Sequence, residues 1–130
     1  MCTVDASWRR LFTIAALFNV VGGIPALVVP SVSLALLGMA PLPHDLFVRT
    51  SGLMIVLFGV AYWLVARDFS RRELAWLGVF GKVGAFLLFL SAWRGGTLPF
   101  RGFALGITDL FFAGAFLAFL FSTRDRVTRR

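Results

Sequence analysis

Residues 74–93 read LAWLGVFGKVGAFLLFLSAW, about 20 apolar or small residues with a lysine, Lys82, near the middle. A helix rising about 1.5 Å per residue crosses a hydrocarbon layer about 30 Å thick in roughly 20 residues. The length fits a membrane span, and the alternation expected of a barrel strand is missing. Lys82 is the chain's only lysine. A charge at the centre of a span costs about 2.5–3.5 kcal/mol on insertion scales. Such a charge needs a partner, either a side chain of another span or a ligand.

Three more segments have the same character: residues 11–29, LFTIAALFNVVGGIPALVV, then 46–66 and 102–121. The first is longer than the roughly 7–15-residue core of a signal peptide, and no small-x-small cleavage site follows it, so it reads as a retained span. With 59% hydrophobic residues and a mean hydropathy of +0.89, the chain carries more apolar surface than a soluble domain of 130 residues can hide. The predicted fold class is all-α, a polytopic four-transmembrane-helix bundle forming one membrane domain over residues 1–130. An external loop over 30–45 carries Pro30, Pro41 and Pro43 with Ser31 and Ser33. It reads as an ordered loop or a short helix lying on the membrane.

The net charge of +7 is distributed between and beside the apolar runs. It forms no basic stretch interleaved with stacking aromatics, so no nucleic-acid partner is expected. Arg9, Arg10, Arg67, Arg71, Arg72, Arg124, Arg126, Arg129 and Arg130 fall on one side of the membrane, and Arg49, Arg94 and Arg101 on the other. The excess of positive charge places both termini in the cytoplasm. Trp8, Trp63 and Trp76 then lie near the cytoplasmic headgroups and Trp93 near the outer ones. Cys2 is the lone cysteine and reads as an incidental thiol. No Cys/His cluster or nucleophile–base pair is visible, so no metal, cofactor or catalytic residue is assigned. His44, beside Asp45, reads as a solvated loop residue.

Helical spacing places small residues on shared faces. Ala15, Ala16, Asn19, Gly22, Gly23 and Ala26 form one face of the first span, and Gly52, Val56 and Gly59 one of the second, with Arg49 at its outer end. Gly78, Gly81, Lys82, Ala85 and Phe89 share a face of the third span, and Gly102, Gly106, Asp109 and Ala113 one of the fourth. Small residues let membrane helices approach closely, so these are the expected packing faces. Asn19 and Lys82 come out level in the membrane. Asp109 lies about 6 Å further out by the rise per residue. Within reach of Asp109 are Lys82 and Arg49, and the lean of helical side chains toward the helix N-terminus slightly favours Arg49. Asn19, Lys82, Asp109 and Arg49 are thus the candidate ligand site or buried polar network.

F-N-V-V-G-G-I-P over 18–25, G-L-M-I-V-L-F-G-V-A-Y-W-L-V-A-R-D over 52–68, G-K-V-G over 81–84 and D-L-F-F-A over 109–113 together resemble small bacterial four-helix membrane proteins of the DoxX-like kind. The resemblance implies an inner-membrane location. Some such proteins accompany quinone-linked oxidoreductases, and no functional residue is carried over from them. Three functions compete. One is an accessory or assembly subunit that partners other membrane proteins or further copies of this chain in the bilayer. Another is a binder or transporter of a lipophilic small molecule at Asn19, Lys82 and Asp109. The third is a lipid-modifying enzyme.

Overall fold

A computed structural model describes residues 3–127 and their side chains through residue 125. Cys2, Arg129, Arg130 and the side chain of Arg126 lie outside the described residues. The chain is all-α: α1 Thr3–Val28, α2 Pro30–Leu37, α3 Leu46–Arg67, α4 Arg72–Arg94, α5 Phe100–Ser122, and a last turn, α6 Arg124–Val127. Helices α1, α3, α4 and α5 are each long and apolar enough to cross a membrane, so this is a multi-pass membrane protein. Each is helical because hydrocarbon offers backbone groups no partner except the helix itself.

Breaks between helices follow local chemistry. Pro30 cannot continue the hydrogen bonding of α1, yet its fixed φ suits a first helical position, so α2 begins there in a new direction. Gly38, at φ +78°, closes α2: its N–H donates to Ala35 O and the N–H of Met39 to Leu34 O. Only glycine takes that conformation without strain. Between α3 and α4 the Asp68 carboxylate accepts from the hydroxyl (2.7 Å) and N–H (3.0 Å) of Ser70. Those two bonds, with help from Arg71, hold its carboxyl below the usual carboxylate range. Gly96, at φ +77°, ends α4 in the same way as Gly38 ends α2.

The spans pack as two close pairs, α1 with α3 and α4 with α5. Glycines set the approach within each pair. A Cβ on Gly52 would lie 2.5 Å from Leu27 N, and one on Gly23 would lie 2.8 Å from Gly52 O, so backbone touches backbone. At Gly59 a Cβ would come within 3.1 Å of Ala16 O, and at Gly106 within 2.9 Å of Phe89 Cβ. Gly102 packs on Leu98 and on Leu37 O, which seats α2 against the start of α5. Between the pairs, glycine meets aromatic rings instead: Gly78 faces Tyr62, as well as Phe116 of its own pair, and Gly81 faces Phe58. Gly22 departs from its expected packing role. It is exposed, and a Cβ there would meet nothing within 4 Å. The buried stripe of α1 runs through Ala15, Ala16, Asn19, Gly23 and Ala26 and leaves Gly22 at its outer edge.

The core between the pairs is aromatic. Phe12 stacks on Phe116 at 4.7 Å and meets Phe119 edge-on at 4.9 Å, while Tyr62 sits 4.9 Å from Phe116. These rings are almost completely buried. Such pairs add about 0.5–1.5 kcal/mol each beyond area burial in water. In lipid this contact and shape term carries most of the association.

The glycine contacts make a direct prediction. Gly52→Ala puts a methyl into the backbone of α1 and should lower stability by about 1–3 kcal/mol. Gly22→Ala and Gly114→Ala, where a Cβ meets nothing within 4 Å, should be neutral. Unfolding titrations in mixed detergent micelles compare the three variants.

Candidate functional site

Lys82 is 5% exposed, on the face of α4 that looks across the bundle. By their contacts α1, α3, α4 and α5 form a ring in that order around the axis, with α4 joined to α1 across the centre. The long lysine stem makes that crossing. Its Nζ donates to Asn19 Oδ1 on α1 at 2.8 Å and to Asp109 Oδ1 on α5 at 2.6 Å. Asn19 Nδ2 donates in turn to Ile55 O on α3 at 3.1 Å. One chain of hydrogen bonds therefore touches all four spans.

Three rings complete the surroundings of the ammonium. Its Nζ lies 5.4 Å from the Phe18 ring centroid, 5.5 Å from Phe112 and 5.7 Å from Tyr62. Cation–π contacts of this kind are worth about 0.5–2 kcal/mol, most where water is excluded. The side chains of Lys82 and Asp109 are 7% and 13% exposed, so a near-neutral pair replaces two isolated charges in the membrane interior.

The network also marks a boundary. Every residue of the main core cluster lies on its Arg-rich side: Phe12, Ala15 and Ala16 precede Asn19, and Tyr62, Val65 and Ala66 follow Ile55. Ala75 and Val79 precede Lys82, and Phe112, Phe116, Phe119 and Leu120 follow Asp109. On the other side, burial falls mainly on glycines and small residues such as Gly23, Ala26, Gly52 and Gly106. The polar cluster thus closes off the aromatic core.

Asn19, Lys82 and Asp109 come together as their spacing suggests, and Arg49 does not join them. The slight preference for an Arg49–Asp109 pair is overturned. Arg49 sits in the first turn of α3, whose close neighbour is α1, and α5 lies across the bundle. Its guanidinium donates to Leu27 O at 2.7 Å and Val28 O at 3.3 Å, and pairs with Asp45 at 2.9 Å. Those carbonyls are the unpaired C-terminal end of α1, so Arg49 caps that helix. Two other arginines, which helical spacing does not single out, do the same work. Arg72, at the start of α4, donates to Leu120 O and to Thr123 Oγ1 (2.6 Å) at the end of α5. Arg101, in the first turn of α5, donates to Ala35 O at 2.7 Å at the end of α2. The signal available in the sequence is position: each arginine opens a span that lies beside the end of another helix.

A cleft of about 600 Å³ opens at the α2 end of the bundle, between the α1–α2 break and the loop that carries His44, Asp45 and Arg49. An apolar groove of about 350 Å³ runs between α1 and α3 along Leu17, Val20, Val60 and Trp63. Neither is lined by Asn19, Lys82 or Asp109. His44 is exposed on the rim of the first. Comparison of the chain with family models, with curated proteins and with solved structures finds no match.

Removing one member of the central pair should cost more than removing both. Lys82→Met strands the Asp109 carboxylate and should lose about 3 kcal/mol. The double variant K82M/D109L should recover most of that loss. Asn19→Leu should cost about 1 kcal/mol, in the range of single intramembrane hydrogen bonds. A double-mutant cycle by reversible unfolding in bicelles measures the coupling directly.

Proposed function

We propose that this chain is an accessory or assembly subunit of a larger complex in the inner membrane of a bacterium, with both termini in the cytoplasm. The observation that carries this reading is the closure of the central network. Lys82, Asn19 and Asp109 satisfy one another and Ile55 O, which is what a scaffold asks of its interior. The outward faces meanwhile present large apolar side chains, among them Phe47, Phe80, Leu88 and Phe111, each at least 69% exposed. Such faces suit lipid and the helices of neighbouring subunits alike. The likeness to DoxX-like proteins, some of which accompany oxidoreductases, agrees with an accessory role. The proposed orientation rests on the crowding of Arg9, Arg10, Arg67, Arg71, Arg72 and Arg124 at one end of the bundle.

A second reading, a site for a lipophilic small molecule, is favoured by one feature. The Asp109 side chain keeps 13% of its exposure at the boundary where the aromatic core ends.

Two measurements test these readings. Extraction of the tagged chain from native membranes in a mild detergent should bring a defined partner protein with it. Recovery of a lone monomer or homodimer overturns the subunit role. A small molecule that co-purifies and is lost in Asp109→Asn, with helicity unchanged, puts the second reading in its place. For orientation, a C-terminal fusion to green fluorescent protein should fluoresce and one to alkaline phosphatase should be inactive. The reverse pattern overturns the proposed topology.

A further inference from the structure

The groove between α1 and α3 has a built origin. Ala16 and Gly59 form its floor, where the two backbones come too close for a larger side chain. Leu17 and Val20 wall it on α1, and Val60 and Trp63 on α3. Its lining is almost wholly apolar and it faces outward, where the surrounding solvent is acyl chain. Both walls continue toward the terminal end of the bundle onto arginine. Arg10, Thr13, Leu17 and Val20 follow one helical face of α1, and Val60, Trp63 and Arg67 one of α3. From Arg10 to Val20 the rise is about 15 Å, the depth of one leaflet.

The two arginines differ from the capping ones. Arg10 and Arg67 are exposed, and among the described residues neither makes an ion pair or caps a helix end. Arg67 lies over the Trp63 ring at 5.4 Å, which holds its guanidinium above the groove. Two exposed arginines, one on each helical face that walls an acyl-sized groove and both toward its terminal end, match one class of molecule. We propose that the α1–α3 groove is a binding site for an anionic phospholipid. Its acyl chain lies along Leu17, Val20, Val60 and Trp63, and its phosphate is held by Arg10 and Arg67. Guanidinium groups suit phosphate because they donate in pairs to its oxygens.

The test uses the full chain reconstituted in phosphatidylcholine vesicles. A small fraction of either dibrominated phosphatidylglycerol or dibrominated phosphatidylcholine is added, and tryptophan quenching is followed. The Trp63 contribution is taken as the difference between the wild type and Trp63→Phe. The Trp76 contribution, from α4 at the same end of the bundle, is obtained likewise from Trp76→Phe. The anionic lipid should half-quench Trp63 at a mole fraction roughly thirtyfold lower than the zwitterionic one, as two arginines at about 1 kcal/mol each imply. Trp76 should show no such preference. In R10Q/R67Q the preference at Trp63 should fall to within about twofold. In L17F/V60F, which fills the groove and keeps both arginines, it should fall as well. Equal preference at Trp63 and Trp76 overturns the proposal, because it reports a general excess of anionic lipid around a basic protein. Survival of the preference in either double variant also overturns it. The two variants act on different parts of the site, so misfolding of one leaves the other decisive.

Discussion

An ammonium group in hydrocarbon must find its counter-charge and its hydrogen-bond acceptors inside the protein, and one flexible side chain has to reach them. Lys82 meets that demand by extending from α4 across the bundle axis to Asn19 on α1, with Asp109 alongside on α5. The relative placement of the four spans follows. If α4 turned about its axis, the ammonium would face lipid and the carboxylate would be left alone. A lysine suits this role better than an arginine. Its compact ammonium fits among Phe18, Tyr62 and Phe112 and directs separate donors at separate acceptors.

The same constraint explains why the two helix pairs are built differently inside and between. Within α1–α3, glycine and alanine bring backbones into contact, as at Gly23 and Gly52. Had the pairs met each other that closely, no room would remain for a lysine and three rings. The gap between pairs is instead filled by Phe12, Tyr62, Phe112, Phe116 and Phe119 on one side of the network. Aromatic rings there do two things at once. They supply contact area, and Phe18, Tyr62 and Phe112 turn their faces to the ammonium.

The four spans were legible because their signal is length and hydropathy, which do not depend on tertiary context. The short helix within 30–45 was half legible, since Pro30 announces a start and Gly38 an end. The meeting of Asn19 and Lys82 was legible from depth alone. The partner of Asp109 was not, because depth says nothing about which helices are neighbours. Arg49 and Asp109 are close in height yet sit on helices across the bundle from each other. Gly22 misled for a related reason: spacing defines a face, and the neighbour decides which edge of that face is covered. The Ile55 carbonyl was invisible because a backbone acceptor has no signature of its own. The rings around Lys82 were equally hidden among fifteen phenylalanines.

The arginines divide into groups that charge counting merges. Arg49, Arg72 and Arg101 each sit at the start of one span and donate to the carbonyl end of another helix. A helix end in or near the membrane holds carbonyls that water reaches poorly, and a guanidinium supplies several donors from one side chain. Two of these arginines, Arg49 and Arg101, are on the side with few positive charges, where the rule for topology would prefer none. Their structural work accounts for their presence there and leaves Arg94 as the remaining arginine on that side. At the opposite end, Arg10 and Arg67 are exposed and cap no described helix end. The charge asymmetry is therefore sharper than the sequence count implies. Arginines already engaged with helix ends contribute less to any preference for one side; of those that cap no described helix end, Arg10 and Arg67 lie at the end where α1 begins and Arg94 at the opposite one.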